Sequence, residues 1–115
     1  MERMTKEEYQ KFKNMIKLSI RKNRTLILCG PPACGKSVTI NEIVEKPEMN
    51  NLHFSQSLHF CKDFNVALGN IIKTLANYDC PVVFSLQNES LADELEKRKI
   101  INVIFMKKRI PNLWL

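Results

Sequence analysis

The chain has 115 residues, 44% of them apolar, and its 18 basic against 12 acidic side chains give a net charge of +6. That length suits one domain burying roughly two-thirds of its unfolded surface, and the composition excludes a disordered chain. No apolar run approaches the ~18 residues of a membrane span, and Met1 to Glu8 lacks a secretory apolar stretch, so an intracellular protein of cytoplasm or nucleus is expected, with no membrane partner.

In chain order, Thr5 and Glu8 form a capping box with Met4 and Tyr9 as its hydrophobic staple, so a helix should begin at Lys6. Tyr9, Phe12, Ile16 and Ile20 make one apolar stripe, while Lys11, Lys13, Lys17 and Arg21 fall largely off it. The helix should end at Lys22-Asn23-Arg24, either packing against the rest of the domain or lying on nucleic acid. This divides the chain into an N-terminal amphipathic helix, 1–24, and a core, 25–115. Thr25–Cys29 then reads as a strand. It runs into Gly30-Pro31-Pro32-Ala33-Cys34-Gly35-Lys36-Ser37, after which Ser37–Val44 has helical spacing up to about Lys46, because Pro47 cannot continue a helix.

The eight residues from Gly30 to Ser37 fit the phosphate-loop pattern G-x-x-x-x-G-K-[ST], in the strand-loop-helix context the pattern requires. A polyphosphate is held by inward-pointing backbone N–H groups and the dipole of a helix N-terminus. Pro31 and Pro32 have no N–H, so the donors must come from Ala33 onward. The predicted nucleotide-binding set is Gly30, Ala33, Cys34, Gly35, Lys36, Ser37 and Val38. Gly35 lets the backbone approach the phosphates, Lys36 reaches them as a point charge, and the Ser37 hydroxyl ligates Mg²⁺. ATP and Mg²⁺ are the expected ligands. Cys34 should sit in an electropositive loop that favours thiolate, with alkylation there suppressed by nucleotide. The four cysteines, Cys29, Cys34, Cys61 and Cys80, have neither C-x-x-C nor paired-histidine spacing, so neither a zinc site nor a disulfide framework is expected.

Glu48 to Asn51 reads as a turn, and Leu52–Ser55 and Leu58–Cys61 as two short strands or one irregular extended pair, in which His53 and His59 are exposed or partly satisfied imidazoles. Asp63 caps a helix with the stripe Phe64, Leu68, Ile71, Ile72 and Leu75. Val82–Leu86 is apolar enough for a central parallel strand, Ser90 with Asp93 resembles a capping pair for a helix through Lys97, and Ile100–Met106 is the last strand. Trp114 in the tail either packs on the core or meets a partner. The expected architecture is an α/β three-layer P-loop domain with a short parallel sheet and helices on both faces.

Hydrolysis also asks for a carboxylate at the end of a neighbouring strand, to hold Mg²⁺ or its water. Asp63 is the best candidate, with helix capping as its competing role; Asp79 precedes a strand and lies at the wrong end of the sheet. Asn88, just past Val82–Leu86, is placed to orient water or touch the terminal phosphate. Arg98 is either an arginine finger toward a neighbouring subunit or part of a solvated charge run. The basic clusters, including Lys97 to Lys99 and Lys107 to Arg109, suit a nucleic-acid backbone or a solvated face equally.

The phosphate loop, then Pro81-Val82-Val83-Phe84-Ser85-Leu86-Gln87-Asn88, then Leu95-Glu96-Lys97-Arg98 before an apolar strand, resembles the helicase domain of superfamily-three viral replication proteins. That resemblance implies an AAA+-like ring that hydrolyses ATP and translocates on nucleic acid. It also implies phosphate and Mg²⁺ binding by Lys36 and Ser37, a sensor role for Asn88 and an intersubunit role for Arg98. The family's acidic pair has only Asp63 to represent it, and the segment between Lys36 and Asn88 is short for the family's usual strands and basic hairpin. A non-hydrolysing nucleotide-dependent binding module and a small nucleotide-kinase-like phosphotransferase are the alternatives.

Overall fold

The computed structural model describes residues 1–49 and 51–111. The predicted capping box forms as read: Thr5 Oγ1 accepts from the Glu8 N–H at 3.1 Å, and Glu8 Oε1 accepts from the Thr5 N–H at 2.9 Å. They open helix α1, Lys6–Asn23, which buries Tyr9, Phe12, Ile16 and Ile20 and ends on Arg24 in the left-handed region. Strand β1 is Thr25–Cys29, helix α2 Lys36–Val44, strand β2 His53–Ser55, helix α3 Phe64–Asn77, strand β3 Val82–Leu86, helix α4 Glu89–Lys97 and strand β4 Val103–Phe105. Pro47–Met49 forms one 3-10 turn after α2.

The four strands are all parallel, in the order β2-β3-β1-β4. Alternation along them sorts side chains to the two faces. Leu26, Leu28 and Val83 join α1 and α2 through Phe12, Ile16, Ile20, Ile40 and Ile43, whereas Ile27, Cys29, Val82, Phe84 and Leu86 join α3 and α4 through Ala67, Ile71, Leu91 and Leu95. The result is three layers, helices on both faces of an α/β sheet. The step from β1 to β2 runs one way along the sheet over the α1/α2 face. The steps from β2 to β3 and from β3 to β4 run the other way over the α3/α4 face, so all three crossovers share one hand, as parallel sheets require. Beyond the neighbouring carboxyl ends of β1 and β3 the chain therefore departs to opposite faces, which opens a crevice there. The helix over 1–24 shares its core with β1 and α2.

Several sequence expectations are corrected. The second strand predicted over Leu58–Cys61 is a pair of tight turns, with the His59 N–H bonded to the Gln56 carbonyl at 3.0 Å and the Cys61 N–H to that of Leu58 at 3.0 Å; this packs Leu58 fully inside. In α3 the buried side is Ala67 and Ile71, while Ile72 and Leu75 of the predicted stripe face outward. The cap of α4 is Asn88, whose Oδ1 accepts from the Leu91 N–H at 2.8 Å, in place of Ser90. The last strand is shorter than Ile100–Met106. Asn50 of the predicted turn and Trp114 lie outside the described residues. No helix among the described residues is long and apolar enough to cross a membrane.

Candidate nucleotide-binding site

The loop Gly30 to Ser37, the candidate phosphate loop, leaves β1 between its two neighbours. The Gly30 N–H bonds the Leu86 carbonyl of β3 at 3.0 Å, and the Met106 N–H, just past β4, bonds the Cys29 carbonyl at 2.7 Å. A Cβ on Gly30 would stand 2.8 Å from Cys34 Sγ and 3.1 Å from Met106 Cβ, so a side chain has no room where the loop turns. Ala33 takes φ 60° and Gly35 φ 107°. A Cβ at Gly35 would also meet Ile110 at 2.6 to 2.9 Å. The Ile110 N–H bonds the Cys34 carbonyl at 3.1 Å, so the segment after β4 braces the loop from beneath. That segment is itself tied to the N-terminus, the Met4 N–H bonding the Arg109 carbonyl at 2.7 Å and the Arg109 N–H that of Glu2 at 2.7 Å.

Gly35 is the N-cap of α2 and supplies no side-chain cap. The N–H groups of Lys36, Ser37 and Val38 thus have neither a helical carbonyl nor a cap, which leaves a helix N-terminus ready for an anion. The Thr39 hydroxyl holds the Gly35 carbonyl at 2.7 Å. From α1, the Tyr9 hydroxyl donates to the Glu42 carboxylate and lies 3.4 Å from Thr39 Oγ1, while Lys13 pairs with Glu42 at 3.3 Å. Burial, and then the hydrogen bond to Glu42, raises the Tyr9 pKa well above that of free tyrosine, which keeps its proton in this link.

Lys36 is only 6% exposed, its Nζ donating to the carbonyls of Gly30 at 2.6 Å and Pro31 at 2.9 Å. Burial lowers its pKa from the free-lysine value, with the sulfurs of Cys34 and Cys29 acting in the opposite direction. Neutral carbonyls hold the ammonium in place without cancelling its charge. A cavity of about 340 Å³ stands over this array, lined by Pro32, Ala33, Gly35, Lys36, Ser37, Val38, Gln56, His59 and Ser85. Val38, a member of the expected binding set, is 41% exposed on this wall.

The thiol of Cys34 departs from its expected reactivity. The residue is 1% exposed, its sulfur 3.7 Å from Met106 Sδ and 3.9 Å from Lys36 Nζ, so the predicted nucleotide-suppressed alkylation has no accessible sulfur in this arrangement. Cys29, also buried, has its thiol pushed up to about 11 by desolvation first and Glu89 second.

The residues proposed for hydrolysis have other partners. Asp63 is exposed and accepts from the Val66 N–H at 2.9 Å, capping α3. Asn88 spends its amide oxygen on α4. Arg98, at the far end of that nine-residue helix, pairs with Glu94 at 2.9 Å and stacks over the Phe64 ring at 4.1 Å. Among the described residues, no carboxylate lines the phosphate cavity. The side chains that the sheet delivers there are Ser85, from the neighbouring strand β3, and Gln56, directly after β2. Gln56, His59 and Ser85 escaped the sequence reading as site residues. Ser85 alone left a signal, as the one hydroxyl in an otherwise apolar central strand. Of the basic clusters, Lys11 is brought beside Lys107 and Lys108 around a second cavity with Phe12, Met15 and Phe105, although Lys108 is also paired to Glu8 at 2.7 Å.

The oxygen donors on the cavity wall are the Ser37 and Ser85 hydroxyls and the Gln56 amide, a set without the carboxylates by which proteins usually anchor Mg²⁺. It fits an ion carried in on a nucleotide's phosphates better than a resident one. Scans of the chain against family models, curated proteins and solved structures find no match.

Proposed function

We propose that this chain is a phosphate-loop nucleotide-binding module whose ligand is a nucleoside triphosphate, held chiefly through its phosphates. The observation that carries the reading is the uncapped N-terminus of α2, opening beside a buried, uncancelled Lys36 into a cavity large enough for a polyphosphate. Binding without turnover is favoured over hydrolysis. With Gln56 on the cavity wall and Asp63 engaged as a cap, no carboxylate among the described residues lines the cavity to activate water or hold Mg²⁺. In this reading bound nucleotide stabilises the loop, and the Lys11, Lys107 and Lys108 surface docks on an anionic partner such as nucleic acid.

A second reading, an ATPase of the helicase-like kind that acts as a ring on nucleic acid, rests on the motif order and the basic surface. It requires a group from elsewhere, such as a neighbouring copy, to supply what the cavity wall lacks, and it requires Arg98 to leave Glu94 and Phe64. Both readings make Lys36 indispensable. Titration with ATP, with and without Mg²⁺, followed together with phosphate release, separates them. The wild type should bind with little Mg²⁺ dependence and release no phosphate, and Lys36→Ala should weaken binding by about a hundredfold, in line with losing a charged partner of phosphate. Phosphate release that vanishes in Lys36→Ala would replace the binder with the ATPase.

A further inference from the structure

His59 occupies the wall between two cavities, the phosphate cavity and an adjoining one of about 500 Å³ lined by His59, Phe60, Lys62, Gln87 and Asn88. Its ring is held at both nitrogens: Nδ1 lies 2.7 Å from Ser85 Oγ, and Nε2 lies 2.9 Å from Gln87 Nε2. An amide nitrogen can only donate, so Nε2 accepts and the single ring proton resides on Nδ1, donated to Ser85. Ser85 Oγ, an acceptor in that bond, keeps its own hydrogen for the phosphate cavity that it also lines. The Gln87 N–H bonds the His59 carbonyl at 3.1 Å, so ring and amide are also tied through the backbone.

We propose that His59 is a further anion-binding group of the phosphate cavity, adding a second positive charge beside Lys36 when protonated, so that the cavity holds a tetrahedral oxyanion more tightly in mildly acidic than in neutral solution. The inference rests on the phosphate-cavity reading and specifies which side chain faces the outer phosphate. Protonation at Nε2 needs only a half-turn of the Gln87 amide, which then presents its oxygen to the new N–H, while the Nδ1–Ser85 bond is unchanged. The groups facing His59 leave the added charge uncompensated. From α2 there is Lys36, from β3 the uncharged Ser85 and Gln87 with Asn88 beyond them, and from its own turn Phe60 and Lys62; no carboxylate lines either cavity among the described residues. Without an anion, burial first and Lys36 second lower the ring's pKa from the ordinary histidine value. An oxyanion bound between Lys36 and His59 reverses that balance, and by reciprocity proton and anion favour each other.

Sulfate is the probe, because its charge does not change across the histidine range. Its affinity should be measured at about pH 8 and about pH 5.5 at constant ionic strength in the wild type, His59→Gln, His53→Gln and Lys36→Ala, with the His59 ring titrated by NMR with and without sulfate. His53→Gln controls for the other histidine, which stacks on Tyr78 at 3.7 Å. The expected result is several-fold tighter binding at the lower pH in the wild type and His53→Gln. The gain should reach up to about tenfold for each pH unit by which sulfate raises the His59 pKa. His59→Gln should bind with one affinity at both pH values, close to that of the wild type at pH 8. Sulfate binding that needs Lys36 but is independent of pH, or a His59 pKa that sulfate leaves in place, would overturn the role of His59 and leave the phosphate cavity standing. No sulfate binding by the wild type at either pH would overturn the cavity reading as well.

Discussion

The two faces of the sheet have treated their polar residues in opposite ways. On the α1/α2 face, polar and apolar contacts converge on the phosphate loop: Ile110 beneath Gly35, Thr39 on the Gly35 carbonyl, and Tyr9 and Lys13 on Glu42 one turn further along α2. On the α3/α4 face the residues that could have served chemistry are used to build helices. Asp63 starts α3, Asn88 starts α4, and Arg98 closes α4 against Phe64. The loop is thus braced from several elements before any ligand arrives. A carboxylate or amide committed to a cap, by contrast, has one oxygen and its orientation fixed by the helix start. In the proposed reading, cradle and catalysis are separable properties of such a fold, and the braced loop serves the first.

The most severe way to break the contrast is at the brace. Gly35→Ala forces a Cβ onto a backbone at φ 107° and into Ile110 at 2.6 Å. Strain in that region costs about 1 to 3 kcal/mol and overpacking a further ~1 to 3. We expect a loss of roughly 2 to 4 kcal/mol in urea unfolding together with loss of nucleotide binding. A variant of undiminished stability would mean that Ile110 does not brace the loop.

The caps sharpen the comparison at smaller cost. Asp63→Ala and Asn88→Ala should each lose about 1 kcal/mol of stability, the usual worth of an N-cap side chain, and leave nucleotide affinity within about twofold. Urea unfolding and nucleotide titration on the same preparations give both quantities. Should Asn88→Ala lose affinity tenfold with its stability intact, the amide would belong to the site after all, and the sensor role suggested by the family resemblance would regain its support.

Legibility in the sequence divides along the same line. The run from Gly30 to Ser37 is contiguous and matches one local pattern, so the strand before it and the helix after it were legible. The capping box and stripe of α1 were equally local. The far wall of the cavity was hidden because Gln56, His59 and Ser85 meet only through the sheet order, which brings the ends of β2 and β3 to the loop after β1. Residues 58–61 alternate as a strand would, yet bonds from His59 to Gln56 and from Cys61 to Leu58 turn the chain so that Leu58 enters the core and His59 meets Ser85. Asn88 and Ser90 compete for one cap two residues apart, and sequence alone does not choose between them.

The mildest change separates glycines kept for geometry from glycine merely present. Gly35 and Gly30 have neighbours within 3 Å of any added Cβ, whereas Gly69, inside α3, has nothing within 4 Å. A helix-interior glycine costs entropy on folding that alanine does not, about 0.5 to 1 kcal/mol, because the unfolded chain has fewer conformations to lose once the residue carries a Cβ. Gly69→Ala should therefore raise stability in urea unfolding by that amount and leave nucleotide affinity unchanged, since α3 reaches the cavity through no residue that lines it. A fall in stability would show that a Cβ at position 69 meets a contact within the chain, contrary to the open space around Gly69.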